Sequence, residues 1–239
     1  MIQRIFEQFL NVRSVTTDTR KINQGDIFFA LKGGNFNGNT FAAKALEMGA
    51  SMVVIDEPQQ PHDERMVLVD DVLIALQQVA KLYSESLQIP FLAITGSNGK
   101  TTTKELIRDV LAQRYRVSAT IGNLNNHIGV PLSLARASRG SRSVILELGM
   151  NHPGEIAPLA RLARPDVAVV LNVQDAHREN FADPDGIRVE KLSITAGLAP
   201  GGILVLHDEV DPRGLRSDIV IRRFGRAEQS EVQLLGVEG

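Results

Sequence analysis

Apolar and polar positions follow two different periods along the chain, and the change of period separates predicted strands from predicted helices. Helical spacing places Leu73, Leu76, Val79, Ala80 and Tyr83 on one face, which predicts an amphipathic helix. Short continuous apolar runs predict strands that are covered on both faces. The helices predicted in this way are residues 1–10, 41–48, 72–87, 104–113, 132–137, 155–163 and 185–196. The predicted strands are residues 27–31, 51–55, 66–69, 91–94, 115–119, 143–148, 165–173, 203–206 and 219–221.

This alternation of strands and helices predicts an α/β protein with a mostly parallel sheet. Pro90 lies between a predicted helix and a predicted strand, and proline ends regular structure that precedes it. We therefore predict two α/β domains, a small one over residues 1–88 and a second one over residues 89–239. Residues 32–39 are so rich in glycine and asparagine that we predict an irregular loop there.

Composition narrows the class of protein. The 239 residues carry a net charge of -2, with 43% hydrophobic and 23% charged residues, which is typical of a globular protein without general affinity for nucleic acid or membranes. The absence of cysteine excludes thiolate metal sites, so a metal would need oxygen or nitrogen ligands, as Mg²⁺ does. The first ten residues are amphipathic, unlike a signal peptide, and no run approaches ~18 apolar residues. We expect no membrane span and a cytoplasmic location.

Residues 91–103, FLAITGSNGKTTT, combine a strand, a glycine-rich loop and the start of a helix. Such a loop can cradle phosphate with its backbone N–H groups, assisted by the helix N-terminus and by Lys100. Thr101 is placed to hold Mg²⁺. The spacing departs from a full Walker A motif because Ile94 occupies the position of the first glycine, and a plain glycine turn with a solvated lysine is the alternative. The predicted nucleotide-binding residues are Gly96, Ser97, Asn98, Gly99, Lys100, Thr101 and Thr102.

Two further side chains follow predicted strands, where parallel sheets bind ligands. Glu147 lies at the carboxyl end of strand 143–148 and is our main metal-ligand candidate, although a carboxylate that caps a turn is the alternative. His177 lies on a loop after strand 165–173 and is a second candidate ligand, although a lone histidine is often structural.

Residues 123–131 contain three asparagines and a histidine, which is more polar chemistry than a turn requires. Amides offer donors and acceptors without charge, and this suits sugars, peptides and water networks. Asn125 and Asn126 are therefore candidate substrate-binding residues.

Segments 96–102, 123–131 and 147–156 together resemble the Mur ligases of peptidoglycan synthesis. The last two are most similar to the member that joins D-Ala-D-Ala to UDP-N-acetylmuramoyl-tripeptide. Segments 17–20 and 25–33 are similar to the UDP-sugar-binding domain of that family. The resemblance makes Thr17, Asp18, Arg20 and Lys32 candidates for binding the UDP-sugar.

The resemblance implies an ATP-dependent amide ligase that uses Mg²⁺ and is a monomer. ATP would phosphorylate the terminal carboxylate of the tripeptide, the D-Ala-D-Ala amine would attack the acyl phosphate, and ADP and phosphate would leave. Lys100 would stabilise the transferring phosphoryl group, while Thr101 and Glu147 would hold Mg²⁺. His177 matches a second-metal ligand. Lys191 matches a lysine that is carbamylated and can then position Mg²⁺; a plain solvent-facing helix lysine is the alternative.

The chain also departs from the family pattern. Asn37-Gly38-Asn39 replaces a usual Asp-Gly-His, and Leu192 and Ser193 replace Gly and Glu after the lysine. Family members have a third, carboxy-terminal domain, and this chain ends at Gly239 with its second domain incomplete, so we expect weak or no ligation from it alone. Two alternatives stay open: a fragment that binds nucleotide or UDP-sugar without turnover, and another Mur-fold ligase with a different acceptor or with folylpolyglutamate-type activity.

Overall fold

A computed structural model describes residues 1–12, 14–174, 181 and 184–236. The chain forms two compact units, one of residues Met1–Leu87 with Leu134–Arg136 and one of residues Gln88–Ser133 with Ala137–Gly239. Both units are mixed α/β structures with parallel sheets, so the predicted fold class is confirmed. None of the helices in the described part of the chain has the length and apolar character needed to cross a bilayer.

The first unit is built on a four-stranded parallel sheet. Its helices are α1 (Ile2–Asn11), α2 (Ala42–Glu47) and α3 (Val72–Leu87), with 3-10 turns at Thr19–Lys21 and Gly38–Phe41. Its strands are β1 (Val15–Thr16), β2 (Ile27–Phe29), β3 (Lys32–Gly33), β4 (Phe36–Asn37), β5 (Met52–Ile55) and β6 (Met66–Leu68). The sheet order is β1-β2-β5-β6, and every residue of β2 and β5 is buried, as the continuous apolar runs predicted.

The prediction of an irregular loop over residues 32–39 is wrong. Strands β3 and β4 pair there as a short antiparallel hairpin, and a 3-10 turn follows. The asparagines build this structure instead of breaking it. Asn37 Oδ1 accepts from the Asn39 N–H at 3.0 Å, and the buried Asn39 Oδ1 accepts from the N–H groups of Asp56 and Glu57 at 3.0 and 3.3 Å.

The second unit is built on a seven-stranded sheet. The strands of this part of the chain are β7 (Phe91–Thr95), β8 (Val117–Ala119), β9 (Ser143–Glu147), β10 (Val167–Val170), β11 (Ile203–His207), β12 (Val220–Gly225) and β13 (Val232–Gln233). The helices of this part of the chain are α4 (Lys100–Ala112), α5 (Gly129–Ala135), α6 (Ile156–Ala163) and α7 (Pro184–Leu192), and a 3-10 turn at Ser193–Gly197 follows α7. The last two residues of α5 are counted with the first unit.

The strand order of this sheet decides where ligands can bind. All six neighbouring pairs in the order β13-β12-β11-β10-β7-β9-β8 are parallel. Strand β7 lies between β9 and β10, so the chain leaves β7 towards one edge and returns at β10 on its other side. This is a topological switch point, and the crevice at the carboxyl ends of its strands is the usual ligand site of such sheets.

Several helix bounds differ from the predictions. Helix α4 begins at Lys100, four residues earlier than predicted, and α5 begins at Gly129, three residues earlier. Helix α7 ends at Leu192 and continues as a 3-10 turn where one helix was predicted to Ala196. Strand β13 was not predicted, because two exposed residues carry too little apolar pattern to be recognised.

Candidate functional site

Residues 96–99 form a tight turn between β7 and α4. Gly99 has φ of +78°, a left-handed conformation that glycine adopts without steric cost, and the helix begins at the next residue. At Gly96 an added Cβ would lie 3.0 Å from Leu171 Cβ and 3.4 Å from the Asn98 carbonyl oxygen. A side chain at Gly96 would therefore be crowded, and one at Gly99 would be strained. The first N–H groups of α4, which lack partners within the helix, follow directly after the turn.

The end of β10 holds this loop in place. The Asn172 side chain accepts from the Asn98 N–H at 3.0 Å and donates to the Asn98 carbonyl at 3.1 Å. Gln174 accepts from the Asn98 amide at 2.7 Å, and its N–H donates to Ser97 Oγ at 2.9 Å. Sequence reasoning did not select Asn172 and Gln174 as site residues. Their signal in the sequence was their position at the carboxyl end of the predicted strand 165–173.

Lys100 folds back over its own loop. Its Nζ donates to the carbonyls of Gly96 at 2.8 Å and Ser97 at 3.2 Å. Burial lowers the pKa of Lys100, and the negative charge of Glu147 opposes part of this shift. The ammonium group is thus held by neutral oxygens at the mouth of the phosphate loop.

Glu147 is 2% exposed and lies beside the first turn of α4. Its Oε2 accepts from Thr101 Oγ1 at 2.8 Å, and its Oε1 accepts from Asn125 Nδ2 at 2.8 Å. Its backbone N–H donates to Thr120 Oγ1 at 3.1 Å. The structure therefore brings together two residues that the sequence predicted as Mg²⁺ ligands, and it adds a predicted substrate residue, Asn125, as their neighbour.

A cavity of about 360 Å³ opens beside Lys100. Its polar lining is mainly uncharged amide, supplied by Asn123, Asn125, Asn126 and Asn151, with Lys100 and Glu155 as the charged groups. An amide-lined cavity of this size suits a polar, weakly charged group such as part of a peptide or a sugar.

Asn126 lines this cavity and also caps α5. Its Oδ1 accepts from the N–H groups of Ile128 at 3.1 Å and Gly129 at 2.8 Å. This cap explains why α5 begins earlier than the position of Pro131 predicted. Asn126 therefore has a structural partner in addition to its predicted contact with substrate.

Glu190 is a buried glutamate that was not predicted as a site residue, and it supports the loop that carries two residues of the cavity lining, Asn151 and Glu155. Glu190 on α7 accepts from the N–H groups of Gly154 at 2.8 Å and Ile156 at 2.7 Å, at the start of α6. Glu155 lies between them, and its carboxylate accepts from the Asn151 N–H at 2.6 Å. The loop from Asn151 to Glu155 is thus tied to the helix that carries Lys191.

Lys191 is 2% exposed, so the alternative of a solvent-facing lysine is wrong. Burial is the main reason that its pKa is lowered to about 8, the charge of Lys100 lowers it further, and the charge of Glu190 opposes the shift. Near neutral pH a fraction of this amine is unprotonated and nucleophilic, as carbamylation by CO₂ requires.

The predicted second metal ligand, His177, lies outside the described residues. Within the described ranges, no group of three or more histidine, aspartate or glutamate side chains could hold a metal ion. Thr101 and Glu147 provide a hydroxyl and a carboxylate side by side, which are the hard oxygen ligands that Mg²⁺ prefers. This donor set fits Mg²⁺ that keeps most of its ligands from water or phosphate.

In the first unit, the candidates Asp18 and Arg20 bind each other. Asp18 accepts from the Arg20 guanidinium at 2.8 and 2.9 Å and from its N–H at 3.0 Å. The side-chain hydrogen bond from Arg20 is the main reason that the pKa of Asp18 is lowered to about 2. The Arg20 side chain is 87% exposed, and Thr17 lies half-buried in the preceding turn.

Lys32 is also paired. Its Nζ lies 3.1 Å from Asp56 Oδ1 and 3.3 Å from Glu57 Oε1. The hydrogen bond with Asp56 is the main cause of a raised pKa for Lys32. A ligand anion at Lys32 would have to compete with these two carboxylates.

Sequence comparison relates both parts of the chain to known proteins. Residues 11–88 match the profile of the Mur ligase family, catalytic domain, and residues 94–233 match that of the Mur ligase middle domain. The UDP-N-acetylmuramoyl-tripeptide--D-alanyl-D-alanine ligase of Bacillus subtilis is 44% identical over 196 residues, which are 81% of this chain and 43% of that protein. The chain spans less than half the length of the curated relatives it matches.

Solved structures give the same relationship. A crystal structure of MurF from Acinetobacter baumannii has a TM-score of 0.87 and 32% identity, covering 95% of this chain and 50% of that one. MurF ligase from Thermotoga maritima, solved in complex with ADP, has a TM-score of 0.83 and 32% identity, covering 91% of this chain and 51% of that one.

Proposed function

Because the chain belongs to the Mur ligase family, we propose that it contributes the nucleotide-binding and UDP-sugar-binding parts of a UDP-N-acetylmuramoyl-tripeptide--D-alanyl-D-alanine ligase. The reaction is ATP-dependent: a phosphoryl group passes to the substrate carboxylate, the acceptor amine displaces it, and ADP and phosphate leave. The observation that carries the proposal is the contact of Thr101 with Glu147 at 2.8 Å beside the phosphate loop. A relative that was solved with ADP supports it.

The loop and Lys100 bind and orient the triphosphate in this proposal. The Lys100 amine lies against the loop carbonyls of Gly96 and Ser97, the N–H groups at the start of α4 add positive potential, and the left-handed Gly99 allows the tight turn that leads into the helix. Such fixed positive groups stabilise the charge that develops on a transferring phosphoryl group. The loop itself needs little rearrangement, because Asn172 and Gln174 already hold it.

Thr101 and Glu147 would hold Mg²⁺, and bound Mg²⁺ would neutralise part of the phosphate charge. The contribution of the chain is to keep both oxygens in place, which Asn125 and Thr120 do for Glu147. Lys191 would add a carboxylate-like ligand once CO₂ has capped its amine, and His177 would be a further ligand.

The amide-lined cavity beside Lys100 would take the peptide end of the substrate, with Asn125 and Asn126 in its wall. In the first unit, Thr17, Asp18, Arg20 and Lys32 would contact the UDP-sugar. Since the charges of Asp18, Arg20 and Lys32 are already paired, binding there would exchange one set of ion pairs for another.

Binding without turnover by these 239 residues is the second candidate. These 239 residues span 43% of the Bacillus subtilis relative. The two candidates differ in whether phosphate release depends on the acceptor.

The first experiment separates these candidates. The chain is incubated with ATP, Mg²⁺, UDP-N-acetylmuramoyl-tripeptide and D-Ala-D-Ala, and released phosphate and product mass are measured. Phosphate release that needs both substrates supports the ligase, whereas binding of Mg²⁺-ADP with no release supports the second candidate. A chain that binds neither ADP nor the UDP-sugar contradicts both.

A calorimetric titration of ADP with and without Mg²⁺ tests the site itself. We expect Mg²⁺ to tighten ADP binding. In Glu147→Gln the ratio of ADP affinities with and without Mg²⁺ should fall about tenfold, because a neutral amide is a poor Mg²⁺ ligand. The control is Asp109→Asn, which changes an exposed carboxylate on α4. An unchanged Mg²⁺ effect in Glu147→Gln would remove Glu147 from the metal site.

A further inference from the structure

Lys104 is completely buried in α4, and no role described so far uses it. Its Nζ donates to the carbonyl of Thr120 at 2.6 Å and to that of Gly122 at 3.4 Å, and it lies 2.9 Å from Glu105 Oε1. Burying an ammonium group is costly unless it is fully paired, and here all three of its hydrogens have an acceptor. Lys104 follows Lys100 by one helical turn, so both lie on the same side of α4.

Thr120 connects this lysine to the site. It is 2% exposed, and its carbonyl accepts from Lys104. Its hydroxyl accepts from the backbone N–H of Glu147 at 3.1 Å, and its own N–H donates to the Ile145 carbonyl at 2.9 Å. Thr120 therefore fixes the backbone of Glu147 at the end of β9, and Lys104 in turn holds Thr120.

The second carbonyl partner, Gly122, leads directly into the asparagine segment. Asn125 in that segment donates to Glu147 at 2.8 Å, and its carbonyl accepts from the Gly149 N–H at 2.8 Å. Lys104 thus fixes the start of segment 120–125. Two groups of this segment bind Glu147, the Thr120 hydroxyl and the Asn125 side-chain amide.

We infer that Lys104 is a positioning residue, which holds residues 120–125 against α4 so that the Glu147 carboxylate stays beside Thr101. The inference rests on the proposed function, since it concerns the Mg²⁺ site of the nucleotide. The Lys104 side chain is completely buried and its amine is turned to two backbone carbonyls and the Glu105 carboxylate, so it would act through these partners and not by contact with a ligand.

The test measures the ratio of ADP affinities with and without Mg²⁺, together with the midpoint of thermal unfolding. A lysine that only stabilises the fold would lower the midpoint and leave the ratio unchanged. For Lys104→Met we expect the ratio to fall about as far as in Glu147→Gln, roughly tenfold, while the Mg²⁺-free affinity stays within about twofold. Asp109→Asn, on the exposed face of the same helix, is the control and keeps the wild-type ratio.

A second pair of variants covers the case in which Lys104→Met does not fold. Thr120→Val removes the hydroxyl that holds Glu147 and keeps the side-chain shape, and we expect the Mg²⁺ ratio to fall several-fold. Thr120→Ser keeps the hydroxyl and should retain the ratio of the wild type.

The outcomes are distinct. If the wild-type chain binds ADP and Lys104→Met keeps the full Mg²⁺ ratio, the inference is wrong and the proposed function stands. Equal ratios in Thr120→Val and Thr120→Ser also overturn it. If the wild-type chain binds no ADP even with Mg²⁺, the proposed function fails, and this inference fails with it.

Discussion

Lys100 in the second unit and Lys32 in the first unit show two ways of holding a lysine. The Lys32 amine lies within 3.3 Å of two carboxylates, Asp56 and Glu57, so its charge is already neutralised. The Lys100 amine is held by the neutral carbonyls of Gly96 and Ser97, beside an open cavity. The pKa shifts have opposite directions, since burial lowers the pKa of Lys100 and the hydrogen bond with Asp56 raises that of Lys32.

This difference indicates which site is prepared for an anion. A cation among neutral oxygens keeps its charge for a ligand, and it gains more from binding phosphate than a cation that must first leave a carboxylate. The region around Lys100 therefore has the features of a binding site in the unbound protein. The region around Lys32 has those of a solvated surface.

Replacing Lys100 should give the largest effect. For Lys100→Met we expect ADP affinity to fall by about 3 kcal/mol, or more than about 100-fold, both with and without Mg²⁺, because a partly buried charge-assisted contact is lost. Titration calorimetry measures this, and Lys81→Met, an exposed lysine on α3, is the control. A loss that appears only in the presence of Mg²⁺ would assign Lys100 to the metal site instead.

Lys191 extends the comparison to a lysine that is almost completely buried. The Lys191 amine has a pKa of about 10.4 in the unfolded chain and of about 8 in the folded chain. Between about pH 8 and about pH 10.4 the unfolded state therefore binds more protons than the folded state. Stability should therefore rise as pH increases through this window. Between pH 8.0 and 9.5 we expect urea unfolding to show a gain of about 1.5 kcal/mol in wild type relative to Lys191→Met. Parallel curves for the two proteins would mean that burial does not lower the pKa of this amine.

The smallest effect is expected at Lys32. Its exposed ion pairs contribute little to folding, so Lys32→Met should leave the midpoint of chemical unfolding unchanged. UDP-sugar affinity should fall only roughly two- to fivefold, because the lysine must exchange partners on binding. Lys21→Met, an exposed lysine in the same unit, is the control. If Lys32→Met lost more than about 100-fold in UDP-sugar affinity, as Lys100→Met is expected to lose in ADP affinity, the proposed difference between the two regions would be wrong.

The sequence was most informative where neighbours in the chain build the structure. Residues 91–103 predict a strand, a glycine turn and a helix, because apolar runs, left-handed glycine and helix spacing are local properties, and the structure has all three. The parallel sheet was predictable for the same reason, since runs such as 165–173 indicate strands covered on both faces. Local reasoning was wrong at residues 32–39, where asparagine side chains replace backbone partners.

What the sequence alone determined is most of the helices, the longer buried strands and the strand-turn-helix of the phosphate loop, and it named Glu147 and Lys191 as candidate site residues. The tertiary structure decided which distant residues hold that chemistry in place: Lys104 for Thr120, Asn172 for the loop and Glu190 for the start of α6. The physical reason is distance along the chain. These contacts join residues 16, 74 and 34 positions apart, and their geometry follows from strand order and burial, which no local pattern contains.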